Sequence, residues 1–397
     1  MQRREAWGRG PRDVEAGFHR RGVRGTAGAA RQAIGAEGLD WLLAIHPVSI
    51  RWLIGQDTKS YTVFQCLAIS SRDEPLVLFT RRTDANEYRA DSLAEDIVTC
   101  GGGVPADPMA AFHEFVRDRG LRNGRVGVEV PGFYLSGPHY VSVKDILGRA
   151  LVAETNGLLG ALRAIKSPRE IEYTRWAAEL SAAAWQALLA RAGEGRTELE
   201  LAGAAYGALL AGGSGIPHST MNLMTGPRTA FALGGPTERR QARGELGLVE
   251  IGGNFRRYTS TLGRAWCLGE PSARMRALHD VIVRAADAAI AAMRPGVPTM
   301  VPHEAACAGI AAAGLDRFRM HTTGYGMAPG FPPSRGEGVN MFGGSTDVLA
   351  ENMVVSVEPH VFIAEEGIGM RLIDNVLMTE AGAELLSTTP REIAVVG

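Results

Sequence analysis

The stretch VEIGGNFRRYTSTLGRAW, Val249 to Trp266, constrains the fold more than any other part of the 397-residue chain. Val249, Ile251 and Phe255 carry strand character. Gly252-Gly253 make a tight turn ahead of Arg256-Arg257, and Tyr258 to Trp266 returns as a second strand, so the segment is read as a β-hairpin. One carboxylate, Glu250, interrupts its apolar arm. A buried carboxylate is costly unless it is paired or protonated, so Glu250 needs either a structural partner or a function.

Upstream of the hairpin the chain alternates between helix and strand patterns. A short helix is predicted over 30–38, strands over 41–45, 52–54, 66–69 and 75–80, helices over 84–93 and 108–119, and a strand over 126–130. This is an α/β domain. Ser167, Pro168 and Glu170 then form the start of a long helix, with a Ser N-cap, a Pro in the first turn and a capping box, running to about Ala192. A second helix covers 199–210, and long helices cover 273–293 and 303–313. Strands fall at 221–224, in the hairpin, and around 319–322, 353–359 and 371–378. The second domain is therefore α+β. The boundaries read as an extension over 1–28, loose over its first 15 residues, a domain over 29–157 and a domain over 158–397.

Net charge is −1 and the pI about 6.8, which disfavours nucleic acid as a partner. The basic residues are nearly all Arg, with Lys only at 59, 144 and 166. With 50 Gly, that bias reads as genome composition rather than as anion binding. Cys66, Cys100, Cys267 and Cys307 show no metal or redox spacing, and no apolar run approaches a membrane span. The Arg- and Gly-rich N-terminus lacks the apolar segment of a secretory signal. A reducing cytoplasm is the expected location.

Five ordered motifs, IKSPREIEY, the hairpin, HTTGYG, MVVSVEP and GMRLIDNVLMTEAG, resemble the C-terminal domain of the creatinase/prolidase family, the M24-like pita-bread fold. HPVSIRWLIGQD resembles the same family's N-terminal domain. The metallopeptidase members bind two divalent ions through two Asp, one His and two Glu. Matched onto this chain, those positions hold Glu250, Thr261, Tyr325, Glu358 and Ile373, with Arg371 and Asp374 kept around the last. Two possible ligands of five are too few for a dinuclear site. The nine histidines supply no HExxH and no pair at helical spacing, so no metal and no other cofactor is expected. Local texture is closest to ectoine hydrolase, in TGYGMAPGFPPSRGE, in Glu250-Ile251 and in Phe64-Gln65-Cys66, while the surroundings of Glu358 resemble creatinase. The histidine that both carry ahead of the hairpin is replaced by Ala230-Phe231-Ala232-Leu233, and the creatinase-type Glu after Leu262 by Gly263.

The resemblance implies a metal-independent hydrolase of a C–N bond in a small amidine, cyclic amidine or amide. Glu250 would be nucleophile or general base, against the alternative of an ion pair with Arg264 or Arg371. Glu358 would anchor a cationic group or share a proton with Glu250, against a relic of the lost site. Tyr325 would donate to a developing oxyanion, and Tyr258 would touch substrate; either could instead be packing. His218 is the candidate replacement base, His321 a support behind the turn, and Arg335 a loop residue for an anionic group. Trp52, Tyr61 and Phe64 pack locally or cap the cleft of a partner subunit in a homodimer. Arg264 and Arg371 read as scaffold. A non-catalytic or biosynthetic small-molecule binding protein and a metallo-aminopeptidase or prolidase are the alternatives.

Overall fold

The computed structural model describes residues 25–397, apart from 57–58, 105, 218 and the side chains of 334–337. The predicted loose N-terminus, most of the 1–28 extension and His218 lie outside the described residues. The chain divides into two compact units, the first ending at Arg163 and the second beginning at Ala164. The division was expected after residue 157.

The first unit is built on strands β1 (Trp41–Ala44), β2 (Cys66–Ser70), β3 (Val77–Arg81), β4 (Asp96–Cys100), β5 (Val126–Val128) and β6 (Leu151–Glu154). They form one mixed sheet in the order β4-β3-β2-β1-β5-β6. Its helices are α1 (25–36), α2 (Pro47–Ile54), α3 (Ala85–Asp91), α4 (Pro108–Asp118), α5 (Gly137–Leu147) and α6 (Leu158–Ala164). Adjacent strand residues point to opposite faces. Leu42 of β1 accordingly packs in a core with Ile34, Ile50 and Trp52, and Leu43 in another with Phe79, Phe112 and Val126. Both faces of the sheet are covered, as an α/β layer requires.

The strand expected at 52–54 is helix α2 instead. His46 caps it, its Nδ1 accepting from Val48 N–H, Pro47 occupies the first turn, and Gly55 (φ 81°) closes it with an N–H to the Arg51 carbonyl. Buried Glu129 fixes the start, accepting from the Ile45 and His46 amides and the Ser49 hydroxyl. Strands β4 and β6 and helices α5 and α6 were absent from the sequence reading.

In the second unit helices α7 (Pro168–Arg191) and α8 (Glu198–Ala211) precede strands β7 (Asn222–Thr225), β8 (Leu246–Ile251), β9 (Asn254–Phe255), β10 (Tyr258–Thr259) and β11 (Leu262–Leu268). Helices α9 (Ala273–Ala292) and α10 (Met300–Ala312) follow. The chain then forms β12 (Gly324–Phe331), β13 (Ser334–Met341), β14 (Val354–Val357), β15 (His360–Ile363), β16 (Ile368–Arg371), β17 (Asp374–Thr379), β18 (Gly382–Leu385) and β19 (Ala394–Val396). One sheet runs β18-β17-β14-β12-β10-β9 with β13 on β12, and another runs β19-β11-β8-β7. Helices α7 and α8 bury Trp185, Leu188 and Leu201 against Val249, Ile251 and Trp266; α9 and α10 bury Ile282, Ala289 and Ile310 against Val355, Val357 and Val376. Sheets backed by helix pairs in this way make the pita-bread arrangement.

The hairpin is present, but it turns at Arg256-Arg257 rather than at Gly252-Gly253. Both arginines adopt positive φ (51° and 70°), the geometry of a two-residue hairpin turn, and the Asn254 side chain accepts from Arg257 N–H. Gly253 serves a different need: a Cβ there would lie 2.1 Å from the Ala177 carbonyl of α7. The hairpin also belongs to two sheets. β8 pairs with β11, while the tip strands β9 and β10 join the larger sheet through Tyr258 opposite Pro329.

Candidate active site

The strand registers assemble two rows of residues across both sheets. Asn222 faces Glu250, Glu250 faces Gly263, and Gly263 bridges to Ile373. Val357 pairs with Asp374, which brings the next residue, Glu358, opposite Ile373; the Glu358 amide then donates to the Thr323 carbonyl. The first row is therefore Asn222–Glu250–Gly263–Ile373–Glu358–Thr323. Two residues along, on the same face, the Thr261 amide donates to Asn375 Oδ1 at 2.6 Å, Asn375 pairs with Ser356, and the Ser356 hydroxyl accepts from the Tyr325 amide. The second row is Thr261–Asn375–Ser356–Tyr325. All five positions matched to metal ligands fall on these rows.

Glu250 is buried, and its Oε2 accepts from Asn222 Nδ2 at 2.9 Å and from Arg371 Nη1 at 2.7 Å. Arg371 is equally enclosed, donates also to the Ala232 carbonyl, and lies over the Phe362 ring. Of the two arginines considered as partners, Arg371 holds Glu250. Arg264 pairs with Asp374 at 2.7 Å and caps the carbonyls of Gly263, Ile373, Thr389 and Pro390. Arg264 is scaffold, while Arg371 belongs to the site.

Glu358 is 1% exposed, and its Oε1 has no hydrogen-bond partner among the described residues. Its carbonyl accepts from His360 Nδ1 at 2.8 Å. His360 Nε2 accepts from the Met320 and His321 amides, which sets one neutral tautomer. Burial pushes the His360 pKa down to about 3. His360 thus ties Glu358 to the segment leading into Tyr325. His321 sits against its ring, at 6.0 Å between centroids. On the other side of that segment His303 Nδ1 meets Thr323 Oγ1 at 2.7 Å.

The five matched positions do not fit a pair of divalent ions. Ile373 has no donor atom, Thr261 and Tyr325 replace anionic and imidazole ligands, and a guanidinium lies against Glu250 where a cation would need to bind. The Ile373 side chain fills the space beside Gly263, where a Cβ would lie 2.5 Å from Ile373 Cγ1. No group of three or more His, Cys, Asp or Glu positioned for a metal occurs among the described residues.

Tyr258 is buried, its hydroxyl donates to Glu170 Oε1 at 2.7 Å, and its ring packs on Tyr173. Glu170 Oε2 meanwhile closes the Ser167 capping box of α7. Tyr258 is therefore a strut between helix and hairpin. In the first unit, Trp52 and Phe64 are core residues, Phe64 packing on Phe79 and Phe112; Tyr61 is half-buried, edge-on to Tyr134. Arg335 lies in strand β13 rather than in the expected loop. Asn222, Asn375 and His360 were not among the expected site residues, and Arg371, expected as scaffold, belongs to the site. Their signal is register: each stands across a strand from, or two residues along from, a matched position.

The segment 172–380 matches the description metallopeptidase family M24, and 28–165 matches the creatinase/prolidase N-terminal domain. Ectoine hydrolase of Halomonas elongata is 28% identical over 95% of this chain and 98% of its own length. A Xaa-Pro dipeptidase of Pyrococcus furiosus is 29% identical over 58% of this chain and 65% of its own. The crystal structure of dipeptidase PepE from Mycobacterium ulcerans superposes with a TM-score of 0.82 at 25% identity, over 94% of this chain and 98% of that one.

Proposed function

Because the chain belongs to metallopeptidase family M24, a family of hydrolases, we propose that it hydrolyses a non-peptide C–N bond in a small amidine, cyclic amidine or amide, without a metal. The observation that carries this reading is what the two rows hold at the five matched positions. Glu250 and Glu358 keep carboxylates on the first row, while Ile373 on that row and Thr261 and Tyr325 on the second carry none. Glu250, oriented by Asn222 and Arg371, acts on the amidine carbon directly or through a water that it deprotonates. Either route consumes one water: its oxygen ends bonded to the carbon, the C–N bond breaks, and the water's protons end on the departing nitrogen; where Glu250 attacks directly, that water cleaves the transient Glu250–carbon bond and frees the carboxylate. Glu358 holds the cationic end of the substrate, and Tyr325 faces the developing tetrahedral oxygen.

The competing reading, a binding protein without turnover, draws on one feature. Phe231 and Leu233 are exposed where the related enzymes carry a histidine, and the same loop is fastened to Arg371 through Ala232. A thermal-shift and turnover screen with ectoine, creatine, acylated diamino acids and Xaa-Pro dipeptides separates the readings. Turnover of a cyclic amidine supports the hydrolase. Stabilisation without turnover supports the binding protein, and dipeptide cleavage alone would sink both. No helix among the described residues is long and apolar enough to cross a membrane. We place the chain in the cytoplasm as a homodimer; light scattering that returned a monomer at micromolar concentration would contradict the second point.

A further inference from the structure

On the reading just given, we infer that Asn375 and Glu358 form a donor–acceptor clamp for a ligand that carries an N–H next to an oxygen, the unit found in an amide or a hydrated amidine. Asn375 is 3% exposed. Its Oδ1 is committed to the Thr261 amide, which fixes the orientation of the side-chain amide and directs Nδ2 the other way. Nδ2 is buried with no acceptor among the described residues, and the same is true, with donor and acceptor exchanged, of Glu358 Oε1. Buried polar groups are almost always paired, so two unpaired ones of opposite type on one face call for a common partner.

The register supplies the spacing. Asn375 pairs with Ser356, and Glu358 lies two residues beyond Ser356. The two are diagonal neighbours, roughly 7–8 Å apart at Cα, a gap that one planar C(=O)–N–H unit spans between side chains of this length. Ile373, opposite Glu358, gives the unit an apolar floor.

The order in which the two contacts form has a chemical consequence. The amidinium group of a substrate offers only N–H donors at the clamp, which suit Glu358 and leave Asn375 idle. When the water oxygen bonds to the amidine carbon, an acceptor appears for the first time, and Asn375 Nδ2–H can donate to it. The amide product retains that oxygen and meets both residues. Asn375 therefore favours the oxygen-bearing states over the substrate, which is the differential binding that accelerates a reaction.

Asn375→Asp tests this, because it keeps an acceptor for the Thr261 amide and turns the donor into a second acceptor. For ectoine as substrate we expect kcat to fall at least tenfold with KM within threefold, and binding of the ring-opened N-acetyl diaminobutyrate to weaken at least tenfold. A variant that binds the acetylated compound as tightly as wild type overturns the clamp. A purely structural role would instead lower the melting temperature and leave the substrate-to-product affinity ratio unchanged. If wild type binds neither compound, the amidine reading fails by itself. The clamp is then decided by a crystal structure of the wild-type protein: a water bridging Asn375 Nδ2 and Glu358 supports it, and a protein acceptor on Nδ2 overturns it.

Discussion

Glu250 and Arg371 form a buried ion pair on two strands distant in sequence, and each would be a liability without the other. Breaking such a pair by removing one charge costs about 3–5 kcal/mol, most of it the penalty on the charge left behind. Glu250→Gln should therefore lower both activity and stability: turnover by about a hundredfold or more, as for loss of a positioned base, and unfolding free energy in urea by about 3 kcal/mol. Glu250→Gln/Arg371→Met should regain much of that stability while remaining inactive. If the double variant recovers activity as well, Glu250 has no chemical role. At this scale the sequence was partly legible. Glu250 stood out as the one acid in an apolar strand, but its choice of Arg371 over Arg264 depends on a β8–β11–β16 neighbourhood that no local pattern encodes. Asn375 was illegible for the same reason, since it lies in the row beside Thr261, 114 positions away in the chain.

Helices and hairpins translate these contacts into stability. His46 must be neutral to accept at Nδ1 as the N-cap of α2, and His360 must be neutral to accept the Met320 and His321 amides. Burial pushes both down to about 3, against 6.5 when exposed in the unfolded chain. Between those values the unfolded state binds protons that the native state refuses, so stability rises with pH and is lost on acidification below about 6.5. The slope approaches roughly 1.4 kcal/mol per pH unit for each histidine. Chemical denaturation at pH 7, 6 and 5 should show this fall, and His46→Asn, which retains a cap acceptor, should reduce the slope. In the hairpin, Gly253→Ala drives a methyl into the Ala177 carbonyl and should cost about 3 kcal/mol or more, visible in a urea titration. The same residue explains a misread turn: Gly-Gly reads as a turn by composition, whereas the space that demands glycine belongs to a helix 76 residues upstream. Trp52-Leu53-Ile54 misled for a simpler reason. Three consecutive apolar residues satisfy helix and strand periods equally, and the capping signal at His46-Pro47 lies before them.

At the scale of the whole chain, the order of motifs along the sequence made both domains legible, because capping boxes and long amphipathic helices are local signals. The two rows were not, because they exist only after sheets from opposite ends of the second unit meet at Gly263 and Ile373. Elemental analysis of protein purified without chelator should find well under one equivalent of Mn, Fe, Co or Zn per chain; about two equivalents would refute the metal-free reading. The Gly263–Ile373 crossing also bears on ancestry. Restoring the family's Glu at 373 alone would insert a third buried carboxylate into a row that already holds Glu250 and Glu358, with Arg371 as the guanidinium paired to that row. That single change therefore meets a charge penalty, because like charges gathered on one buried row cannot all ionise cheaply. A change that keeps position 373 apolar costs less than one that returns a carboxylate to it, so the crossing holds this end of the row free of a further charge.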